Sequence, residues 1–410
     1  MGSARIHLFD TKSVPLRGCS RATIVSLATG LIIMRHTDEQ DILATLERIA
    51  TDVIAEHAIA VDGRAEFPSA ALAALGRAGL MGLVSAPEVG GLGGGPRLAG
   101  LVIRRVAQAC GSTAMVLCMH YCGVAVLEAH APEAVRRKAA SGEHLRTLAF
   151  SEAGSRSQFW APLGTATRDG DDVLLHAHKG WITSASHATA YVWSSRPLQA
   201  EGPSTLWLVP AGTPGLRVAG PFDGLGLRGN DSSPVHADGV RVPASALLGA
   251  DGGGMSVMMG TVLPLFQLLN ASCSLGLMQG AVERTLAHVS GTAFQHTGST
   301  LRDLPTIRAY VARMSIETDM VRTLLDDTAA AIEAGRPDAM LRVLQSKAAA
   351  GEAATQVLDT AMRVCGGAAF RREVGVERYF RDARAAGVMA PTTDLLYDFI
   401  GKALTGLDLF

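Results

Sequence analysis

Three glycines near the middle of the chain have the spacing of a loop that binds nucleotide phosphates. Gly224, Gly226 and Gly229 match the pattern Gly-x-Gly-x-x-Gly, in which backbone amides at the start of a helix bind a pyrophosphate. The pattern requires a strand before it and a helix that opens at the third glycine. Here the polar segment 230–234, Asn-Asp-Ser-Ser-Pro, follows and does not begin a helix of that kind. The sequence therefore argues against a Rossmann-type dinucleotide site.

The spacing of the cysteines also argues against thiol chemistry and metal binding. The six cysteines are scattered and form neither a Cys-x-x-Cys pair nor a Cys/His cluster with zinc spacing. Cys118 and Cys122 lie four residues apart in an apolar, helix-like run, where small buried side chains are a simpler explanation than a redox pair. We therefore expect a reduced, cytoplasmic protein without a structural metal.

The composition narrows the range of functions further. Over 410 residues the formal net charge is −1, so electrostatics favour neither nucleic acid nor an anionic membrane as a partner. Hydrophobic residues make up 48% and aromatic residues only 5%, which is typical of cores built from Ala, Leu and Val in mainly helical proteins. The length suits two or three packed subdomains.

Residues 1–33 are expected to be an extension outside the fold. Their apolar run, 22–34, is too short to span a bilayer, and no small-residue cleavage site of a signal peptide follows it. Met34 is therefore the predicted start of the working protein. A capping box at 37–40, Thr-Asp-Glu-Gln, predicts where the first helix begins.

Hydrophobic periodicity divides the rest of the chain into three zones. Residues 34–144 and 253–410 have apolar side chains at helical spacing, whereas residues 145–252 alternate short apolar runs with Gly, Pro and Asp turns. The order predicts an N-terminal helical domain, a central antiparallel β-domain and a C-terminal helical domain, a mainly α protein of the α+β class. The predicted elements are helices near 69–80, 97–109, 113–129, 132–141, 255–290, 304–334 and 338–364, and strands that include 173–177, 190–193 and 205–209.

Five segments in these zones resemble a known family. They are T-L-A-F-S-E-A-G-S-R-S at 147–157, K-G-W-I-T-S at 179–184, the segment 224–243 that begins G-L-G-L-R-G, R-V-C-G-G at 363–367, and R-D-A-R-A-A-G-V-M-A-P-T-T at 381–393. In order and placement they resemble the acyl-CoA dehydrogenase family over about residues 37–405. The resemblance implies a C-terminal four-helix bundle, with FAD bound between the β-domain and the bundle at the interface of a homodimer or homotetramer.

The resemblance implies contacts to the flavin ring from two zones. Phe150 and Ser151 match loop residues whose hydroxyl and backbone amides contact the ring. Trp181 matches a tryptophan that packs on the dimethylbenzene side, with an ordinary β-core aromatic as the alternative. Thr183 matches a threonine that hydrogen-bonds near N5, and Thr392 matches a second flavin-contacting threonine.

The resemblance implies that a different set of residues contacts the adenine half of the cofactor. Gly366 and Gly367 match a glycine pair that lets the backbone approach the cofactor closely. Arg363 stands where a glutamine is usual. Phe294 is retained from an Arg-x-x-Phe motif that binds the pyrophosphate from the neighbouring subunit, but the arginine of that motif is Gly291 here. FMN is therefore the alternative to FAD.

The catalytic base of the family is missing from both of its known positions. A glutamate normally abstracts the α-proton of the acyl thioester while the flavin takes a hydride. One position for it is Ala390, two residues before Thr392, and the other is Phe266 on the first long C-terminal helix. His120 and Asp394 remain as candidates, against the alternatives of a core histidine and a hydrogen-bonding group near the flavin. The residues implied to line the substrate site are Ser157, which faces the pantetheine arm, His120, Phe266 and Ala390.

The missing base leaves three functions open. The first is an FAD-dependent dehydrogenase of an unusual acyl thioester, carried on CoA or an acyl carrier protein, that uses another base or desaturates away from the α,β position. The second is a flavin-dependent monooxygenase on the same fold, which needs no glutamate. The third is a paralogue without turnover, against which the retained flavin-side residues argue.

Overall fold

The structure is a computed structural model that describes residues 39–156 and 158–409. Within these residues, helices are followed by strands and then by helices, in the order that the sequence predicts. The predicted extension, the start at Met34 and the first residues of the capping box lie outside the described residues, as does Ser157.

Helices make up the N-terminal part, and the four predicted there are confirmed. The elements are α1 Glu39–Ile49, a π-helical turn Ala50–Ile54, α2 Ala55–Gly63, α3 Ser69–Arg77, α4 Pro96–Ala109, α5 Gly111–His130 and α6 Glu133–Ala140. Val102, Ile103 and Val106 lie on the buried stripe of α4 and are fully inaccessible. α5 is buried on nearly all sides, so it is the core helix of this part.

The central part consists of two four-stranded sheets. The strands are β1 Arg146–Ala149, β2 Thr165–Asp169, β3 Asp172–Ile182, β4 Ala190–Ser195, β5 Thr205–Pro210, β6 Leu216–Val218, β7 Ser233–Pro243 and β8 Leu247–Leu248. The strand orders are β1-β4-β5-β8 and β2-β3-β7-β6. Val173 and Leu175 of one sheet share a buried core with Trp193 and Trp207 of the other. Every pair is antiparallel as predicted, except that β1 and β4 run parallel.

The C-terminal part is a helical bundle around one long central helix. Its elements are α7 Gly254–Val257, a π-helical turn Met258–Val262, α8 Leu263–Gly291, α9 Pro305–Glu333, α10 Ala339–Cys365, α11 Val376–Val388 and α12 Thr393–Thr405. α8 packs against α9, α10 and α11 and also against α4, which joins the bundle to the N-terminal helices. The three long helices predicted in this part are confirmed.

Two helical runs are long and apolar enough to cross a membrane by length and composition, Gly111–His130 and Gly254–Gly291. In both, 78% of the most apolar stretch is buried against the rest of the protein, as is typical of core helices. Among the described residues no cluster of His, Cys, Asp and Glu is arranged to hold a metal ion.

Candidate functional site

The loop after β1 carries the first two predicted flavin contacts. Phe150 is buried and lies parallel to Phe159, with 6.5 Å between ring centroids. Ser151 is half-buried, and its carbonyl accepts a hydrogen bond of 2.9 Å from the amide of Gly180. The loop is therefore tied to the end of β3, which brings Ser151 and the Lys-Gly-Trp motif together.

A buried ion pair between Lys179 and Glu152 holds this loop against β3. The sequence analysis did not predict it. Lys179 Nζ lies 2.6 Å from Glu152 Oε1 and donates to both the carbonyl and the hydroxyl of Ser194, at 2.8 and 2.9 Å. The other oxygen of Glu152 accepts from the Leu163 amide at 2.8 Å. Burial lowers the pKa of Lys179 to about 8, although the carboxylate opposes this. The signal was present in the sequence, because the alternation of β3 places Lys179 on the inner face of the sheet.

Trp181 and Thr183 lie where β3 departs from regular pairing. The register with β7 shifts between Lys179 and Ile182, and Trp181 adopts a left-handed φ of +61°. The indole is 74% exposed, so the β-core alternative for Trp181 is wrong. A bulky residue in this backbone region is rare and costs free energy, and such residues concentrate at binding sites. Thr183 is buried, with its hydroxyl 3.2 Å from that of Ser232.

The connection between α11 and α12 carries the second group of predicted residues. Lys347, buried in α10, donates to the carbonyls of Ala386, Met389 and Pro391 at 3.0, 3.1 and 2.8 Å. Burial lowers the pKa of Lys347 to about 7. Thr392 caps α12, because its hydroxyl accepts from the Leu395 amide. Lys347 thus clamps the connection on both sides of residue 390.

No ionisable side chain occupies either of the two base positions. Ala390 is half-buried in the clamped connection, and Phe266 is half-buried in the first turn of α8. Asp394 is exposed in the first turn of α12, where the helix dipole stabilises a carboxylate. It is therefore placed better for a hydrogen-bonding role than for the abstraction of a proton in a dry pocket.

His120 has the environment of the core-histidine alternative. Its Nδ1 accepts from the backbone amide of Arg146 at 3.0 Å, and its Nε2 donates to the Met81 carbonyl at 2.9 Å. Burial lowers the pKa of His120 to about 4. Both ring nitrogens are engaged with backbone, which favours the core-histidine alternative over a catalytic base or a substrate contact.

Two buried amides of α8 are incompletely paired. Both terminal atoms of Gln267 and the Oδ1 of Asn270 have no hydrogen-bond partner among the described residues, and both side chains are fully buried. The Nδ2 of Asn270 lies only 3.2 Å from Met389 Sδ. A buried polar group without a partner costs about 1–3 kcal/mol, so a ligand that pairs with it regains that free energy. The sequence analysis gave Gln267 no role.

Aromatic side chains connect the two groups described so far. Phe150 lies against Phe159, Phe159 meets Trp160 edge-on at 5.2 Å, and Trp160 lies 6.0 Å from Phe399 of α12. The segment that follows the loop after β1 therefore contacts α12 through Trp160 and Phe399.

The residues predicted for the adenine half form a third, separate group. Phe294 is half-buried in the connection between α8 and α9, with its ring edge-on to His296. Gly366 ends α10 with a left-handed φ of +57°, and an added Cβ at Gly366 or Gly367 would meet nothing within 4 Å. Arg363 lies one turn earlier on α10. The open glycine pair fits a group that approaches the backbone closely.

These three groups fit FAD. The exposed indole of Trp181 offers an apolar surface for a flavin ring, and the glycine pair leaves room for the rest of the cofactor. Together with the order of helices, β-domain and bundle, they define the class of protein as a flavin-dependent oxidoreductase.

Comparison with known proteins identifies the family. Models of the acyl-CoA dehydrogenase N-terminal, middle and C-terminal domains match residues 36–142, 147–240 and 252–405. The chain belongs to the acyl-CoA dehydrogenase family. It is 30% identical over 345 residues to the mitochondrial short-chain specific acyl-CoA dehydrogenase of Bos taurus, covering 82% of both chains. It is 29% identical to the probable acyl-CoA dehydrogenase YngJ of Bacillus subtilis (strain 168), over 90% of this chain and 98% of that protein.

Solved structures of the same fold support the assignment. Butyryl-CoA dehydrogenase from Megasphaera elsdenii superimposes with a TM-score of 0.84 at 21% identity, over 92% of this chain and 100% of the other. FkbI, for biosynthesis of the methoxymalonyl extender unit of Fk520, gives 0.79 at 25% identity, over 88% and 99%. The prolyl acyl carrier protein oxidase AnaB gives 0.81 at 18% identity, over 89% and 98%. Members of the family depend on FAD, and FAD is the cofactor of this chain.

Proposed function

We propose that this protein is an atypical FAD-dependent dehydrogenase of an acyl thioester, carried on CoA or an acyl carrier protein, that works without a glutamate at either family position. The observation that carries the proposal is the contrast at residue 390. The connection that normally presents the base is clamped by Lys347 and continues into the cap at Thr392, but the residue it presents is Ala390.

The side chains of this protein would bind and orient rather than remove the α-proton. Ser151, Trp181 and Thr392 would hold the flavin ring between the β-domain and α12. FAD, when bound, supplies the acceptor for the electrons of the substrate. Lys347 would keep the connection around Ala390 in place beside the acyl group. Since general-base catalysis contributes roughly 10²–10⁴-fold, simple α,β-desaturation of an unactivated acyl chain would be slow.

The buried amides indicate what kind of acyl group the site would accept. Gln267 offers a donor and an acceptor without partners, and Asn270, whose Nδ2 contacts Met389, offers an acceptor. A straight hydrocarbon chain leaves these groups unpaired, whereas an acyl group with a hydroxyl or carbonyl substituent can pair with them. A polar acyl group is therefore the proposed substrate class, and oxidation away from the α,β position is compatible with it.

The two possible carriers follow from the relatives. The family name and the Megasphaera enzyme refer to CoA thioesters, whereas AnaB acts on a prolyl group held by an acyl carrier protein. Relatives of both kinds share the fold. The net charge of −1 favours neither carrier. A homodimer or homotetramer, expected from the resemblance, belongs to the same proposal.

The test is anaerobic reduction of the purified flavoprotein by matched thioesters with and without a hydroxyl or carbonyl on the acyl chain, on both carriers. We expect a polar thioester to bleach the flavin faster than its unsubstituted counterpart. Gln267→Leu should reduce that preference by roughly 10- to 100-fold, the equivalent of one lost buried hydrogen bond. Gln279→Leu is the matched control, because Gln279 lies on the same helix and is already paired with Gln108 at 2.7 Å. An unsubstituted thioester that reacts faster in both wild type and Gln267→Leu would contradict the polar-substrate proposal.

The flavin-dependent monooxygenase is the second candidate, and the empty base position favours it too. The same experiment separates the two functions. NADH or free reduced flavin that reduces the bound FAD faster than every thioester would favour the monooxygenase. FAD that no thioester, NADH or free reduced flavin can reduce would favour the paralogue without turnover.

A further inference from the structure

The end of α8 lacks a cation where the family resemblance leads one to expect it. Gly291 is the last residue of α8, and an added Cβ there would meet nothing within 4 Å. The position is exposed and has room for a long side chain. Phe294 of the same motif is nevertheless present three residues later. The pyrophosphate of FAD carries two negative charges that this motif no longer neutralises.

A cation does lie at the same end of the bundle, on another helix: it is Arg363. It is exposed in the last turn of α10, and its guanidinium carbon lies 5.0 Å from the ring centre of Tyr310 in the second turn of α9. The end of α10 lies beside the end of α8, since Cys365 Sγ is 3.9 Å from Thr285 Oγ1. Thr285 precedes Gly291 by six residues, or about 9 Å along a helix.

Arg363 lies against an aromatic ring and, in the part of the chain that the structure describes, has no carboxylate partner. Among the described residues, no carboxylate lies within salt-bridge distance of it, whereas nearby Arg371 is paired with Glu373 at 2.8 Å. The stacked Tyr310 ring restricts the guanidinium while leaving its hydrogen-bond donors free for a ligand. The open pair Gly366 and Gly367 follows directly, so an anion that approaches this backbone comes within reach of the guanidinium.

We infer that Arg363 supplies the pyrophosphate-binding cation that residue 291 lacks, so that the positive charge has moved from the end of α8 to the end of α10. Guanidinium is suited to this exchange because its planar fork can bind two phosphate oxygens at once. The simpler alternative is that Arg363 only offsets the negative end of the α10 dipole. The two explanations differ in what they predict for the affinity of FAD.

The experiment measures the dissociation constants of FAD and FMN for the purified full-length flavoprotein from flavin fluorescence on dilution, at low and high salt. Arg363→Gln, the usual residue of the family, should weaken FAD binding roughly 10- to 100-fold and reduce its salt dependence. FMN, which has one phosphate and no adenine, should be affected less. Arg363→Lys keeps the charge but loses the fork, so we expect an intermediate loss.

Two further variants decide between the explanations. Arg313→Gln removes an exposed charge from the neighbouring α9 and should leave FAD affinity within about twofold. In Arg363→Gln, the added change Gly291→Arg should restore most of the lost affinity, because it returns the cation to its usual place. A dipole-only role predicts no change in FAD affinity for Arg363→Gln and no rescue by Gly291→Arg, and either result would overturn the inference. A wild-type protein that binds no FAD would overturn the cofactor assignment as well.

Discussion

The β-domain side and the bundle side of the candidate site each rest on a buried lysine, but they differ in the residues that the lysine supports. On the β-domain side, Lys179 and Glu152 join the loop that carries Ser151 to the end of β3 that carries Trp181, and both residues have the types expected for flavin contact. On the bundle side, Lys347 supports a connection whose outward residue is an alanine where a catalytic carboxylate is expected. Each region has a buried lysine, but only the β-domain side retains the side-chain types expected at the supported positions. The backbone support of a catalytic position can therefore be kept while the catalytic side chain is lost, as at Ala390.

The largest effect should come from breaking the support on the β-domain side. Lys179→Met leaves Glu152 as an uncompensated buried charge, which costs about 3–5 kcal/mol of unfolding free energy. Urea unfolding of the purified flavoprotein measures the loss, and the double change Lys179→Met with Glu152→Gln should recover part of it. Arg137→Met is the control, because its pair with Glu133 is exposed on α6 and contributes at most about 1 kcal/mol. A Lys179→Met protein as stable as wild type would show that the loop does not depend on this pair.

A smaller, pH-dependent effect should come from His120. The folded protein holds the pKa of His120 at about 4, below the ordinary value of 6.5, because burial disfavours the charged ring. Between pH 6.5 and 4 the unfolded chain takes up a proton that the folded chain does not, so stability is lost as the pH falls. The integrated loss is about 3 kcal/mol. His120→Gln should unfold with a shallower pH dependence across this range, and an unchanged slope would contradict the buried neutral histidine.

The support on the bundle side should contribute less to stability. Lys347→Met removes the donor for three carbonyls but also removes a buried charge, so we expect a net cost of about 1–3 kcal/mol. The flavin spectrum should persist, because Ser151 and Trp181 on the β-domain side are untouched. Lys402→Met is the matched control, since Lys402 makes an exposed pair with Asp398 on α12. Loss of flavin in Lys347→Met alone would mean that the two regions are not independent.

The smallest effect on stability should come from Trp181. Because the indole is 74% exposed, Trp181→Ala should change the unfolding free energy of the flavin-free protein by less than about 0.5 kcal/mol. It should nevertheless weaken flavin binding, which fluorescence on dilution reports. Trp207→Ala, in the buried β-core, is the contrasting control and should cost about 3–5 kcal/mol. Unchanged flavin affinity in Trp181→Ala would remove this residue from the site.

The sequence predicted the fold well because its signals are local. The apolar stripe of α4 and the long apolar run of α8 are periodic over many residues, and the family motifs mark the ends of β1 and β3. The parallel pairing of β1 with β4 was not predictable, because it joins residues about 44 positions apart and leaves no local pattern. The strand predicted at 173–177 continues to Ile182 through a bulge, and that bulge turns Trp181 outward.

The site was predicted less completely, for a physical reason. Lys347 works through backbone carbonyls of residues 386, 389 and 391, and backbone acceptors carry no signature in the side-chain sequence. His120 seemed a candidate base because its type suits proton transfer, but its two backbone partners come from Met81 and Arg146, distant in the chain. The absence of a base at Ala390 was visible from the sequence, whereas the unpaired amides of α8 were not.

The central claim is that residue 390 has lost the base while the connection that would present it is intact. The most direct measurement is the rate at which butyryl-CoA or octanoyl-CoA bleaches the bound FAD anaerobically, in wild type and in Ala390→Glu. We expect slow or absent bleaching in wild type and a gain in Ala390→Glu, toward the roughly 10²–10⁴-fold that a positioned base contributes. Rapid bleaching of the wild-type flavin by these straight-chain thioesters would contradict the claim, because it would require a base elsewhere in the site.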